Sequence, residues 1–453
     1  MNSPSLGITR TAAAMPFLSP LLERIIAKGR LSVIDWKGRR HDFGDPAGVD
    51  RCIIRIHDRS FPLKALASPS LALGEGYMEG RLTIEQGNIR SLLKILTSNL
   101  RVLQEGRLEK LRLKCARLLS RLRRNPRSRA RRNASHHYDL SGDLYRLFLD
   151  PDRQYSCAYW PTGNESLEEA QAAKKRHLAA KLLLEPGHSV LDIGSGWGGL
   201  ALELAREAQV RVKGITLSTE QLDAARERAK ASGLADRARF DLQDYRDVDE
   251  QFDRIVSVGM FEHVGAAHYD QFFATVARCL KKQGVAVIHS IGRRAPPGGM
   301  DPWITKYIFP GSYVPSLSEV LPAVERSGLW ITDIEILRLH YAETLKDWYE
   351  RFQAHRAEAG ALYDGRFCRM WEFYLAACEM MFRNGDLMVF QIQLAHERDA
   401  VPLTRDYITD FERAQSAGLK EGRRKPVRPA QARRSKAPTR QRPTEKIPRH
   451  EPA

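Results

Sequence analysis

The chain has 453 residues, of which 43% are apolar, so it is long enough for about two or three domains and can fill a substantial core. The formal net charge of +17 is concentrated in two segments: residues 101–132 carry +11 and residues 420–453 carry +9, which leaves about −3 for the rest. A nearly neutral body argues against a nucleic-acid enzyme, whose cleft would need a basic lining around phosphates.

Targeting and redox signals are weak throughout the sequence. No apolar run approaches eighteen residues, and the N-terminal run at residues 15–26 is broken by proline and charge, so we expect neither a membrane span nor a signal peptide, and a cytoplasmic protein. The six cysteines are scattered without the spacing of a zinc site. Reduced thiols and no bound metal are therefore predicted.

The first hundred residues are predicted to form a small α+β domain. Short apolar runs at residues 31–36 and 52–56 predict strands, and helical patterns cover residues 62–73 and 89–96. In residues 101–132, leucines recur at roughly helical spacing among basic side chains, which predicts a basic amphipathic linker helix. Such a helix is attracted to an anionic lipid surface or to nucleic acid, or is simply a solvated linker, and its charge alone does not decide.

From residue 133 to about residue 400, strand and helix patterns alternate. The apolar strands lie near Val190, Val212, Phe240, Ile255 and Val287. This alternation predicts an α/β catalytic domain built on a doubly wound, mostly parallel sheet. The C-terminal segment, residues 401–453, ends from about residue 420 in a basic tail with few apolar side chains, which predicts disorder.

A glycine-rich loop, Asp192-Ile-Gly-Ser-Gly-Trp-Gly198, joins the predicted first strand to a helix. Glycines let the backbone approach a ligand closely at a helix N-terminus, so the loop predicts a nucleotide-like cofactor. The spacing also satisfies a dinucleotide fingerprint, but the acidic residue expected about 20 positions on is missing around residues 213–214. Asp192, ahead of the first glycine, favours S-adenosylmethionine.

Polar groups also follow the second and third strands. Because parallel strands end at the same edge of a sheet, these groups should converge on one crevice with the glycine loop. Thr216, Ser218 and Gln221 supply hydroxyls and an amide, and Tyr245 supplies a ring for stacking on adenine. The cofactor-binding residues predicted in this crevice are Asp192, Gly194, Gly196, Gly198, Thr216, Leu217, Ser218, Gln221, Gln243, Asp244 and Tyr245.

Seven motifs resemble, in order, those of the cyclopropane-fatty-acyl-phospholipid synthases and the related mycolic acid cyclopropane synthases. They cover about residues 130 to 397 and are residues 137–143, 154–160, 192–198, 214–221, 261–265, 306–311 and 374–382. The segment Gly74-Glu-Gly-Tyr-Met-Glu-Gly80 is also similar to a motif in the N-terminal domain of the phospholipid-acting branch. The resemblance implies a class I methyltransferase fold with a seven-stranded sheet.

The resemblance also implies a reaction, in which S-adenosylmethionine supplies a methylene group to the cis double bond of an unsaturated phospholipid acyl chain. A carbocation would form and lose a proton to bound bicarbonate, closing a cyclopropane ring. Carried over residue by residue, the bicarbonate cradle is the backbone at Cys157 with Glu262, His289, Ile291 and Tyr341. Tyr155 and Ser156 fall where the family contacts the methionyl end of the cofactor.

One further family position is Cys378, which matches a cysteine often assigned to the active site. Methyl transfer to an alkene requires no thiolate, so the chemistry favours a buried structural cysteine there. Residues 291–325 are predicted to form the acyl channel or an ordinary cover over the sheet, with Trp303, Ile304, Tyr307, Ile308 and Phe309 as the apolar wall.

The reaction outcome keeps an alternative, because relatives with the same motifs add a methyl branch without ring closure or methylate small amines. The expected partners are unsaturated phospholipid acyl chains at an anionic membrane surface, with peripheral association at the inner face of the membrane. No nucleic-acid partner is expected, and the sequence leaves a homodimer open.

Overall fold

The structure is a computed structural model, and it describes residue 15 and residues 18–100 and 141–424. The predicted linker helix over residues 101–132 and the tail beyond residue 424 lie outside the described residues, apart from the positions at which the C-terminal helix ends. No helix among the described residues is both long and apolar enough to cross a lipid bilayer.

The N-terminal region is a four-stranded sheet with helices, as the sequence predicts. The strands run in the order β2-β1-β3-β4, with β1 parallel to β3 and the other pairs antiparallel. Strand β3 buries every second residue, because one face of this small sheet covers the core. The elements are β1 (Arg30–Ile34), β2 (Arg40–Gly44), β3 (Arg51–Ile56), β4 (Leu82–Gln86), α1 (Leu18–Ile25), α2 (Phe61–Ala67), α3 (Pro69–Met78) and α4 (Ile89–Ser98).

The catalytic region contains a seven-stranded sheet, and the predicted fold class is confirmed. Its strands are β5 (Ser189–Ile193), β6 (Arg211–Thr216), β7 (Ala238–Leu242), β8 (Phe252–Val258), β9 (Leu280–Arg293), β10 (Trp330–Leu337) and β11 (Leu387–Ala395). The order is β7-β6-β5-β8-β9-β11-β10, and only β11 runs antiparallel to its neighbours. The strand order reverses between β5 and β8, because β6 and β7 follow β5 on one side while β8 and β9 lie on the other. Ligands of such sheets bind at this point, beyond the carboxyl ends of the strands.

Helices cover both faces of this sheet and one end of it. They are α5 (Gly142–Phe148), α6 (Leu167–Leu182), α7 (Gly199–Glu207), α8 (Thr219–Ala231), α9 (Tyr269–Cys279), α10 (Pro302–Tyr307), α11 (Leu317–Ser327), α12 (His340–Ala354), α13 (Arg356–Leu362), α14 (Gly365–Asn384) and α15 (Asp406–Arg424). Helix α15 extends five residues into the segment expected to be disordered from residue 420. Once a helix has started, each added residue gains a hydrogen bond at little further cost. The helix can therefore continue beyond the last of its apolar residues.

The N-terminal domain and the catalytic helices share one hydrophobic core. A continuous cluster of buried apolar residues runs from β1 and β3 through α3 and α4 into α12 and α14. Arg90 of α4 donates two hydrogen bonds, of 2.6 and 2.7 Å, to the fully buried carboxylate of Glu379 on α14. The Tyr77 hydroxyl donates to Glu372 at 2.8 Å. The interface is therefore packed and charge-paired rather than a loose contact between domains.

Helix α15 is held by a buried histidine on α6. The ring nitrogens of His177 lie 2.7 Å from Glu335 on β10 and 2.8 Å from Glu412 on α15. Its ring stacks on Tyr159, with centroids 4.2 Å apart. Burial lowers the pKa of His177, but the hydrogen bonds to the two carboxylates outweigh burial and raise it above its ordinary value. The imidazolium form therefore links the C-terminal helix to the sheet.

This linkage predicts a pH-dependent stability. Because the folded pKa of His177 is raised, its contribution is complete below the ordinary histidine pKa and is lost as pH rises through the folded value. Replacing His177 with glutamine should cost on the order of 2 kcal/mol at about pH 6 and much less at about pH 9. Thermal unfolding of both proteins at the two pH values measures this difference. An equal loss of stability at both would show that the ring is not charged in the folded state.

Candidate active site

A cavity that is partly open to solvent lies beyond the carboxyl ends of β5, β6, β7 and β8. Nine residues predicted to bind the cofactor line it: Gly194, Gly196, Thr216, Leu217, Ser218, Gln221, Gln243, Asp244 and Tyr245. The polar groups at the ends of three strands thus meet in one crevice, as parallel strands require.

The glycine loop shapes one wall of this cavity. Gly194 and Gly196 have φ angles of +84° and +55°, a region that side chains disfavour. Gly198 does not line the cavity. A Cβ atom there would lie 2.8 Å from the Phe240 ring, so this glycine lets helix α7 approach β7 closely.

The groups after β6 are ordered by their own hydrogen bonds. Thr216 Oγ1 lies 2.9 Å from Gln221 Oε1 and donates to it, which leaves Nε2 as the donating end of that amide. The Ser218 hydroxyl accepts from the Gln221 N–H at 3.3 Å and caps helix α8. The hydroxyl and amide are therefore held in place beside the cavity before any ligand binds.

An arginine that the sequence did not single out lines the same cavity. Arg246 forms a bidentate pair with Asp244, with distances of 2.8 and 2.5 Å, and its guanidinium lies 5.5 Å from the centre of the Tyr245 ring. The Asp244 carboxylate is thus neutralised while keeping lone pairs for a ligand amine. Burial raises the pKa of Tyr245 to about 12, so its ring stays neutral.

The sequence reasoning also missed the end of the fourth strand. Val258, Gly259, Met260 and His263 line the cavity where β8 ends. The rule applied to the first three strand ends would have found them. Burial lowers the pKa of His263 to about 4, so this wall presents a neutral imidazole.

Glu262 and Ile291, two residues of the predicted bicarbonate cradle, are joined directly. Glu262 Oε1 accepts a hydrogen bond of 2.7 Å from the Ile291 N–H. Its other oxygen, Oε2, is buried and has no hydrogen-bond partner among the described residues. Burial raises the pKa of Glu262 to about 7, although the Ile291 N–H, the N–H of Glu262 itself and the Ser290 hydroxyl oppose the rise. The backbone of Ile291 therefore orients the carboxylate, and its N–H is not spare for an anion.

His289 lies two residues before Ile291 on β9 and is buried. Gln391 on the neighbouring strand β11 donates to its Nδ1 at 3.1 Å, which places the ring proton on Nε2. Burial lowers the pKa of His289 to about 3, so the ring is neutral at physiological pH. A neutral Nε2–H donor is the form that can hold an anion without itself binding a second proton.

Cys157 and Tyr341 are brought together on the other side of the site. The Ala158 N–H donates to Thr344 Oγ1 at 3.1 Å, and the Trp160 N–H donates to His340 Nδ1 at 2.9 Å. These bonds hold the segment around Cys157 against helix α12. Their acceptors, His340 and Thr344, lie within one turn of Tyr341 on that helix. Burial raises the pKa of the Cys157 thiol, which fits a role for its backbone rather than its sulfur.

Three other predicted cofactor residues, Tyr155, Ser156 and Asp192, lie outside the residues that line the cavity. The Tyr155 and Tyr374 hydroxyls share a hydrogen bond of 2.8 Å, and Ser156 Oγ accepts from a buried lysine, Lys174. Asp192 is buried within β5, and one of its oxygens has no partner in the described part of the chain. Burial raises the pKa of Asp192 to about 7.

Cys378 lies near Tyr374 on helix α14. Burial raises the pKa of its thiol to about 12, so it stays protonated at neutral pH. By solvent accessibility the residue is partly buried. This state offers no thiolate for catalysis.

The predicted acyl-channel wall divides into two parts. The Phe309 ring lies 6.4 Å from His263 and 5.8 Å from Tyr374, so it bridges the cavity wall and α14. Trp303 instead is fully buried against the N-terminal domain, where its indole N–H points at Met78 Sδ at 3.2 Å. Phe309 therefore lies beside the cavity wall, whereas Trp303 is a packing residue.

Residues 125–392 match the family described as mycolic acid cyclopropane synthetase. The chain belongs to this family. Residues 17–105 match a domain of unknown function. As a member of the cyclopropane synthetase family, the chain is 42% identical over 340 residues to cyclopropane-fatty-acyl-phospholipid synthase of Escherichia coli strain K12, covering 75% of this chain and 86% of that protein.

Two further similar proteins are a fatty acid methyltransferase and a cyclopropane synthase of known structure. A probable fatty acid methyltransferase of Pseudomonas putida is 36% identical over 384 residues, covering 83% of this chain and 93% of that protein. A crystal structure of a mycolic acid cyclopropane synthase complexed with SAH and CTAB superposes with a TM-score of 0.56 at 36% identity, covering 58% of this chain and 97% of that one. The chain is thus an S-adenosylmethionine-dependent methyltransferase of the cyclopropane synthase type.

Proposed function

We propose that this chain closes a cyclopropane ring on the cis double bond of an unsaturated phospholipid acyl chain, with bicarbonate as the bound base. The observation that carries the proposal is the second oxygen of Glu262. It is a buried carboxylate oxygen without a hydrogen-bond partner among the described residues, and the other oxygen of Glu262 is already held by the Ile291 N–H. A buried acceptor of this kind is costly unless a ligand satisfies it.

Bicarbonate suits the chemistry of the groups in the predicted cradle. Its hydroxyl can donate to Glu262 Oε2, and its remaining oxygens can accept from the neutral His289 ring and the backbone beside Cys157. Tyr341 lies within one turn of the residues that fix that backbone. The residues present therefore suit a small planar anion with one proton to donate.

The protein groups then have separate tasks. When bound, S-adenosylmethionine supplies an electron-poor methyl group, and bicarbonate supplies a proton acceptor. The crevice at Gly194, Thr216 and Tyr245 holds the cofactor, while Phe309 offers apolar surface for the acyl chain. Methyl transfer would form a bond from the methyl carbon to one alkene carbon as the carbon–sulfur bond breaks, with S-adenosylhomocysteine as the leaving group and the cation on the other alkene carbon. Removing one proton from the new methyl group lets its bonding pair close the ring, and Glu262 and His289 hold the acceptor of that proton in place.

We further propose that the substrate is met at the inner face of an anionic membrane. The support is the amount of positive charge in residues 101–132 and 420–453, since each basic side chain near such a surface contributes about 1 kcal/mol. Vesicle binding should therefore be stronger for anionic than for zwitterionic phospholipid and should weaken as salt is raised.

The test is an assay of the full chain with methyl-labelled S-adenosylmethionine and vesicles of monounsaturated phospholipid. We expect label in the lipid, a mass gain of one methylene, and the proton NMR signals of a cyclopropane. Vesicles of saturated phospholipid are the matched control and should stay unlabelled. Label in an exomethylene or methyl-branched chain would overturn ring closure, and label only in an added amine or nucleic acid would overturn a lipid substrate.

A further inference from the structure

Lys174 on helix α6 is a fully buried lysine directly beneath the segment that carries Tyr155, Ser156 and Cys157. Its ammonium group donates to the Ser156 hydroxyl at 2.9 Å and to Gln154 Oε1 at 2.6 Å. A buried ammonium is expensive to desolvate, so its partners must hold it firmly. None of the cofactor or bicarbonate contacts described above uses this residue directly.

The neighbouring turn of α6 holds the same segment by its backbone. Gln171 Nε2 donates to the carbonyl oxygens of Gln154 and Ser156, at 3.2 and 3.0 Å. Because Gln171 and Lys174 are three residues apart, they lie on one face of the helix. That face therefore holds residues 154–156 by hydrogen bonds to both their backbone and their side chains. The next residue in the chain is Cys157, whose backbone belongs to the predicted cradle.

The charge of Lys174 also affects the pKa values of three groups in other parts of the site. It lowers the pKa of Asp192 and Cys157 in opposition to burial, and it adds to the lowering of the pKa of His289 by burial. Burial lowers the pKa of Lys174 itself to about 8, while the charge of Asp150 raises it. The charge of Lys174 therefore acts on groups of the cofactor loop, the cysteine segment and strand β9.

We infer that Lys174 is a positioning residue for the methionyl end of S-adenosylmethionine, which it acts on by fixing Gln154 and the Ser156 hydroxyl. This inference rests on the proposed role of Ser156 at that end of the cofactor. At the ends of β6 and β7, Thr216 and Gln221 are predicted to meet the ribose and methionine ends of the cofactor, and Tyr245 is predicted to meet the adenine. The hydrogen bonds described for Lys174 go to Gln154 and Ser156 and to none of these three residues. Loss of the charge should therefore weaken recognition of one end of the cofactor and spare the other.

The test compares two ligands by calorimetry with the purified full chain. S-adenosylhomocysteine carries the amino-acid end, whereas 5′-methylthioadenosine shares its adenosine and sulfur but lacks that end. In Lys174→Met, which keeps the length of the side chain, we expect about tenfold weaker binding of S-adenosylhomocysteine and binding of 5′-methylthioadenosine within about twofold of the unmodified chain. Equal weakening of both ligands, or of neither, would overturn the inference.

Lys181→Met is the matched control, because Lys181 lies two turns further along α6, is equally buried, and pairs with Glu335 instead. It should leave the ratio of the two affinities unchanged, and a changed ratio would overturn the inference. If Lys174→Met does not fold, Gln154→Met removes one acceptor of the ammonium, and the same selective loss is expected. Failure of the unmodified chain to bind S-adenosylhomocysteine while it binds 5′-methylthioadenosine would instead contradict the proposed role of Ser156.

Discussion

Replacing Glu262 with glutamine is expected to lower kcat by roughly 10²–10⁴-fold. The change should leave affinity for S-adenosylhomocysteine within about twofold, because the proposed partner of Glu262 is the base and not the cofactor. Glutamine keeps an oxygen for the Ile291 N–H, so the local structure can persist. Its amide nitrogen, however, would stand at the position of Oε2, the proposed acceptor of the bicarbonate hydroxyl. An N–H donor at that position repels the hydroxyl.

Glu319→Gln is a suitable control for this experiment. Glu319 accepts hydrogen bonds of 2.9 Å from the Tyr313 hydroxyl, and the Tyr313 N–H donates to the Glu262 carbonyl oxygen, so the two carboxylates belong to one region. Of these two carboxylates, Glu262 is the one with a buried oxygen that has no hydrogen-bond partner among the described residues. Single-turnover methyl transfer and calorimetry on both variants separate the roles. A loss of cofactor affinity in Glu262→Gln as large as its loss of turnover would contradict the assignment.

Replacing Gly74 with alanine is expected to destabilise the protein and reduce its activity. The added Cβ would lie 2.3 Å from the indole nitrogen of Trp303. That ring is buried and packs edge-on against Phe373, 4.6 Å away, so it has little room to move. We expect a net loss of about 1–3 kcal/mol despite the better helix propensity of alanine. Displacing Trp303 also shifts helix α10, which leads to Phe309 at the cavity.

Gly76→Ala is the matched control for this second change. It lies on the same helix and gains the same propensity, but its Cβ would lie 3.0 Å from the edge of the Phe61 ring, a contact that a small shift relieves. Thermal unfolding and label transfer to monounsaturated phospholipid should rank the proteins as unmodified, Gly76→Ala, then Gly74→Ala. Similar behaviour of the two variants would show that the Trp303 contact does not limit the fold.

The parts of this fold that follow repeating patterns could be predicted from the sequence. Apolar runs such as that at Val190 identify strands, and the carboxyl-end rule placed Thr216 and Tyr245 in one cavity. The same rule was not extended to the end of β8, and for that reason His263 was missed. Arg246 was missed because its role depends on a bidentate pair that only the local turn creates.

Other features depend on contacts between distant segments, which no pattern reveals. A lysine within a polar helix is usually exposed, so nothing in the sequence marks Lys174 as buried. Trp303 looked like channel wall, but its surroundings are set by Gly74 of another domain. The use of the Ile291 N–H by Glu262 is likewise a tertiary contact. The roles of the individual site residues remain predictions for the experiments above.

The two family matches cover residues 17–105 and 125–392 as separate segments. The hydrophobic core, however, is continuous between these two segments. Glu379 is fully buried because Arg90 of the other segment covers it. Cutting the chain between the two matches would leave that carboxylate and the apolar face of α14 in water. A catalytic segment that exists alone must therefore carry a different set of residues on this helix. Joining this N-terminal domain to a catalytic segment that exists alone would therefore require redesign of α14. The residues on the two sides of the interface in this chain are expected to vary together in evolution.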